Sequence, residues 1–163
     1  MNSFVTTWQS GLPETPCGAG SMLANTELIR ALLPQIVNEF EVFSIADVGC
    51  GDQNWISHVE WPHEIMYQGL DVQPRSESVA EFDVTRDVPP CVDLIMCIYV
   101  LNHLIRQSQS LKNFKESGSQ YLLMSYTDSD FIPFHLIRSW FHKDTGRHVW
   151  RYGLFDLENN NEI

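Results

Sequence analysis

The chain has 163 residues, 44% of them apolar, enough for one domain with a core and too few for two comfortable ones. Its formal net charge of −11 argues against nucleic acid, whose phosphates are repelled by an acidic surface without a basic patch. The nearest thing to such a patch runs from Arg138 to Arg151 through Lys143 and Arg147, and reads as ordinary surface charge.

The opening stretch "MNSFVTTWQSG" has neither a basic start nor a long apolar run, so no signal peptide is expected. No stretch approaches the roughly 20 apolar residues of a membrane span, and no membrane partner is expected. The four cysteines, Cys17, Cys50, Cys91 and Cys97, show no CxxC and no metal-type spacing, which points to a cytoplasmic protein with no metal site. Cys91 and Cys97 flank or lie in an apolar run, where cysteine acts as a small buried hydrophobe.

In chain order, Leu28, Leu32, Ile36 and Phe40 fall four apart, which predicts a helix over 25–40 that Pro34 kinks or splits. A buried strand over 41–49 ends at a glycine. A short helix over 53–61 is stopped by Pro62, and a second strand follows over 64–72. A short third strand is predicted over 78–84. The continuously apolar run 92–101 suits a central parallel strand. A helix over 102–117 is ended by Gly118, and a fifth strand covers 119–126. The tail 135–157 is expected to hold a helix and one strand, and 158–163 to be frayed. Alternating strands and helices imply an α/β layer structure with a mostly parallel sheet. The link between the second and third strands is shorter than the dozen or so residues of a parallel crossover. Either that pair is not parallel or the fold is trimmed.

The stretch "ADVGCGDQNW" (46–55) sets Gly49 and Gly51 between a buried strand and a helix. Glycine there lets the backbone turn sharply and a ligand approach closely, although a ligand-free turn has the same spacing. Gln53 stands where a dinucleotide fingerprint has its third glycine, so a smaller nucleoside is favoured over a diphosphate. Asp47, at the end of a buried strand, is costly unless used; it can hold loop amides or bind a ligand's ammonium group. Asp71 ends the second strand, where an acid can accept from both ribose hydroxyls or merely begin a turn. Asp83 ends the third strand. With the amide of Val84 it can read adenine, or it can make an Asx turn. Three acids at the C-terminal ends of successive strands outweigh each alone, because open α/β sheets bind ligands there.

In the order "IADVGCGDQNW", "YQGLDV", "FDVTRDVPP", "VDLIMCIYVLNHL" and "QYLLMSY", the sequence resembles the class I S-adenosylmethionine-dependent methyltransferases. With the lead-in "CGAGSMLANTELIRALLP" it looks like a small bacterial and phage branch carrying a CGDxxW motif. The resemblance covers roughly residues 8 to 126. It implies a Rossmann-like sheet flanked by helices, with a lead-in and helix (1–40) covering the cofactor site and a core over 41–157. It also implies that Asp47, Gly49 and Gly51 hold the methionine part of the cofactor. Asp71 would bind the ribose, and Asp83 with Val84 the adenine, with Cys50 and Val72 also among the cofactor-binding residues. Tyr99 would lie beneath the sulfonium, and Ser21 would cover the site. An acid often occupies the Tyr99 position in this branch.

Beyond the fourth strand, Asn102 and His103 stand where such enzymes often place acceptor-side residues. The His103 imidazole can take a proton from an acceptor, or pack at the rim as a helix-start residue. Trp55 reads first as core and second as a wall of the acceptor pocket. The implied function is methyl transfer from S-adenosylmethionine, leaving S-adenosylhomocysteine, to a small molecule or to a group on a sugar or protein. Two rivals are a cofactor-binding or interaction module without catalysis, and a nicotinamide-dependent oxidoreductase, which would want the missing third glycine.

Overall fold

The computed structural model of the protein describes residues 12–159. The stretch examined for a leader, and all of the expected frayed tail beyond residue 159, lie outside them. Among the described residues, seven strands form one sheet in the order β3-β2-β1-β4-β5-β7-β6. They are β1 (Ser44–Val48), β2 (Met66–Asp71), β3 (Val79–Glu81), β4 (Leu94–Cys97), β5 (Tyr121–Thr127), β6 (His135–Asp144) and β7 (Val149–Asp156). The first five are mutually parallel, and β7 runs antiparallel between β5 and β6.

Period-2 alternation sorts the strand side chains onto two faces. Ile45, Leu94, Met96 and Leu123 pack on one side with helix α1 (Glu27–Glu39). Ala46, Ile95, Leu122 and Met124 pack on the other with Phe114 and Leu111 of helix α2 (Gln107–Glu116). Pro34 sits inside α1, yet one helix runs through it. A mid-helix proline costs about 3 kcal/mol. Burying Ile29, Leu33, Ile36 and Val37, all 0–1% exposed, returns roughly 1.5–3 kcal/mol per side chain, so packing outweighs the lost hydrogen bond.

The expected helix over 53–61 is only a 3₁₀ turn, Ile56–His58. Local bonds compete with a helix here. The Asn54 side chain donates to Glu14 and to the Ser21 carbonyl, and the Ser57 hydroxyl donates to the Asn54 carbonyl. The helix expected from 102 begins at Gln107 instead, and Leu101–His103 is a separate 3₁₀ turn. β3 is parallel to β2, with Gly69 opposite Val79 and Asp71 opposite Glu81. The crossover of 72–78 is made by bends and a turn, with no helix, so the shortened link removed the helix and kept the strand direction. Cys97 is buried as expected, but Cys91 is exposed.

The largest departure is in the tail. No helix forms over 135–157; β6 and β7 make a long antiparallel hairpin, and β7 also pairs along all of β5. The residues are rich in aromatics, which suit a pleated surface. Gly146, at φ 76°, supplies the left-handed turn between the strands.

Candidate functional site

A cavity of about 430 Å³ lies beyond the C-terminal ends of β1, β2 and β4, the place where parallel sheets bind ligands. Its floor is the turn after β1. Gly49 and Gly51 have φ of 78° and 59°, and Gln53 takes 59° as well. The amides of Gly49 and Cys50 both donate to the Leu70 carbonyl, at 2.7 and 3.2 Å. A side chain on Gly49 would put its Cβ 2.2 Å from Val100 Cγ2. The left-handed turn and the close approach of the 100 segment therefore both require glycine.

Asp71 organises this turn. Its Oδ2 accepts from the Gly51 amide at 2.8 Å and its Oδ1 from the Gln73 amide at 2.8 Å. Each oxygen keeps a further lone pair, and the residue lines the cavity with Val72. Asp47 also reaches the cavity but is 3% exposed. It holds no loop amide and accepts from the Tyr67 hydroxyl at 2.6 Å. Burial pushes its carboxyl up to about 7; the Tyr67 hydrogen bond opposes the shift and the Asp71 charge adds to it. Across the turn, Gln53 accepts from the Ser78 hydroxyl at 3.1 Å, which ties the loop to the β2–β3 link.

Ser21, in the lead-in, faces the same cavity. The lead-in is tied down by Thr15, which donates to Asp52 at 2.7 Å, and by the Asn54 amide on the Ser21 carbonyl at 3.0 Å. Tyr99 follows β4 in the left-handed conformation, φ 56°. Its amide donates to the Ser125 hydroxyl at 2.6 Å, a bond that offsets part of a strain on the order of 1–3 kcal/mol. His103 lines the cavity from the 3₁₀ turn, with its Nε2 3.2 Å from the Asn102 side-chain nitrogen. Burial holds its pKa below the usual histidine range, so the ring is neutral at pH 7. Trp55 is buried in the core and reaches the cavity wall as well.

Thus Ser21, Asp47, Gly49, Cys50, Gly51, Asp71, Val72, Tyr99 and His103 meet in one place. Asp83 and Val84 do not line that cavity. One Asp83 oxygen accepts from the amide and hydroxyl of Thr85, at 3.0 and 2.7 Å, in an Asx turn. Val84 is buried in the core beside α2, and its carbonyl accepts from Asn113 at 2.7 Å. Sequence reasoning missed Arg75, Lys143, Thr145 and Trp150, which also line the cavity. The last three come from the hairpin, whose turn signal "KDTG" between two aromatic-rich runs was there to be used. Among the described residues no group of three His, Cys, Asp or Glu side chains is placed to hold a metal ion. None of the described helices is long and apolar enough to cross a membrane.

No protein-family model matches the chain, and no curated protein matches it either. Solved structures do. The N-methyltransferase NodS from Bradyrhizobium japonicum WM9, in complex with S-adenosylhomocysteine, superposes with a TM-score of 0.64 at 14% identity, over 98% of this chain and 95% of that one. The 1,6-didemethyltoxoflavin N1-methyltransferase from Burkholderia thailandensis, with its substrate and S-adenosylhomocysteine bound, gives 0.62 at 9% identity, over 82% and 78%. The [4+2]-cyclase SpnF gives 0.61 at 9% identity, over 80% and 81%. At such identities the likeness is one of fold, and the same fold hosts more than one chemistry.

Proposed function

From the premise that the chain carries the Rossmann-like fold of the class I methyltransferases, we propose that it binds S-adenosylmethionine and transfers its methyl group to a small molecule or to a group on a sugar or protein. The observation that carries this reading is the left-handed Gly49–Gly51 turn lying against Asp71, with the buried Asp47 beside it, in one cavity. These residues fit the cofactor. A buried carboxyl raised to about 7 is one that a ligand ammonium group would ionise and pair. Asp71 keeps lone pairs for ribose hydroxyls, and the glycine turn forms the floor of the cavity. Asp83 remains engaged in its turn, so adenine is not assigned to it.

The cofactor supplies an electrophilic methyl on a sulfonium, and the electrons of the broken carbon–sulfur bond return to sulfur as the acceptor's lone pair bonds to the carbon. The protein's part is alignment, which supplies much of the rate, and removal of the acceptor's proton. His103, neutral and on the cavity wall, is the group we assign to that proton.

Calorimetric titration with S-adenosylhomocysteine, S-adenosylmethionine and NAD tests the reading. Heat is expected with both adenosyl ligands; heat with NAD alone would overturn it. Asp71→Ala should weaken adenosyl binding roughly ten- to hundredfold, the equivalent of about 1.5–3 kcal/mol for charge-assisted hydrogen bonds. Unchanged affinity in the folded variant would remove Asp71 from the site.

A further inference from the structure

The hairpin end of the cavity carries features that cofactor binding does not use. β6 and β7 run in register at Trp140↔Tyr152 and Phe141↔Arg151, then slip by one, so that Lys143 opposes Trp150 and His142 is the extra residue. Opposed residues share a face and alternate ones return to it. Without the slip, Lys143 would point away from the face of Trp140 and Tyr152. With it, Lys143 stands beside Trp150 in the cavity wall. Re-aiming a side chain is a recurrent use of a bulge.

The Lys143 ammonium lies 5.1 Å from the Tyr99 ring centroid and 6.0 Å from that of Trp150. Among the described residues no carboxylate forms an ion pair with it; the pairs present are Lys112–Glu116 and Arg138–Glu39. In a chain with 21 acidic residues against 10 basic ones, carboxylates are plentiful, yet this half-buried cation lies in the cavity wall without one. Next to it, Tyr99 Oη, Tyr152 Oη and His142 Nε2 are buried and make no hydrogen bond among the described residues. The rings of the three are 4.9 to 6.3 Å apart. The Tyr99 and Tyr152 hydroxyls interact with each other, and Tyr152 and His142 back the Tyr99 ring without lining the cavity themselves.

We infer that the hairpin end of the cavity is the acceptor subsite, and that it takes a small molecule bearing an anionic group, carboxylate or phosphate, on a planar ring. Lys143 pairs with the anion, and Tyr99 and Trp150 flank the ring. This deepens the proposed function and rests on it, because the cofactor occupies the Gly49–Asp71 end.

The probes are 4-hydroxybenzoate, phenyl phosphate, the neutral 4-hydroxybenzamide and the cationic benzyltrimethylammonium. Each is titrated into the protein with saturating S-adenosylhomocysteine present and followed by ligand-observed NMR and tryptophan fluorescence. At least one anion should bind about tenfold or more tightly than the amide and the ammonium; which anion wins separates carboxylate from phosphate acceptors. Lys143→Gln should abolish the preference, and Lys143→Arg should keep it. The inference fails if the amide or the ammonium binds as well as the anions. It fails equally if the preference survives Lys143→Gln, or if none of the four binds. Calorimetry with S-adenosylhomocysteine on the same samples separates the two readings. No heat overturns the cofactor reading and this inference with it; heat without an anion preference overturns this inference alone.

Discussion

Asp47 shows how one residue can serve a site at the expense of stability. Its carboxyl, ordinarily at 3.8, is raised to about 7 by burial. Between those values the native protein keeps a proton that the unfolded chain has lost. Stability therefore falls as pH rises through that window and levels off above it. At about 1.36 kcal/mol per unit the cost is on the order of a few kcal/mol. Asp47→Asn keeps the shape and an acceptor for Tyr67 but not the charge. Urea unfolding should find its stability margin over the parent growing from about pH 4 to about pH 7 and constant beyond; a margin independent of pH would refute the argument. The same variant should lose affinity for the ammonium-bearing cofactor.

His103 is the second residue whose chemistry can be followed by titration. Burial lowers its pKa, so the ring is already neutral at pH 7. With an acceptor in hand, kcat should be flat through neutrality and fall only as pH drops below the ordinary histidine range. His103→Ala should lower kcat by about 10² or more while cofactor affinity stays nearly unchanged. A collapse of affinity would put His103 in the cofactor site, and no change in either would leave it a packing residue at the rim.

Among the elements, the turn after β1 is the most constrained. Gly49→Ala meets two costs: the left-handed φ of 78° and a Cβ 2.2 Å from Val100 Cγ2. Together they should destabilise the protein by roughly 2–4 kcal/mol. Adding Val100→Ala should recover the overlap part and leave the φ part, which thermal unfolding of the single and double variants can separate. No recovery would mean that the 100 segment does not press on the turn. The turn was legible because glycine at φ > 0 is a local requirement written in two letters. The hairpin was not, because its strands exist through pairing: β7 is a strand by virtue of lying between β5 and β6, and that partner is remote in sequence. The 53–61 segment failed in the opposite direction. A short helix was expected there, but side-chain bonds from Asn54 to the lead-in compete with its first turn.

Across the whole molecule, the question is how the acidic chain arranges its few basic residues. The loose basic cluster in the tail is dispersed by the fold. Arg138 makes a bidentate pair with Glu39 of α1, at 2.7 and 2.8 Å. Lys143 turns into the cavity, and Arg147 is left at the exposed hairpin turn. With a net charge of −11 and the basic residues of the tail spread apart, the protein should form no duplex DNA complex at physiological salt. A gel-shift series over salt concentration checks this; tight complexes weakening steeply with added salt would contradict it.

The sequence by itself determined a mostly parallel α/β sheet and the glycine turn, and left the direction of β3 against β2 to the structure. Continuous apolar runs can only be buried strands here, and an acid or glycine at a strand end has few other uses. It also brought Asp47, Asp71, Tyr99 and His103 into view, since each lies next to a strand whose direction the alternating pattern implies. Only the tertiary structure decided which acid does what. Asp71 holds the Gly51 amide, Asp47 takes the Tyr67 hydroxyl, and Asp83 closes on Thr85, because hydrogen-bond partners depend on what comes within 3 Å. It alone decided that Lys143 and Trp150 belong to the cavity. That placement depends on a one-residue slip between two antiparallel strands, and register is a property of the pair that neither strand carries alone.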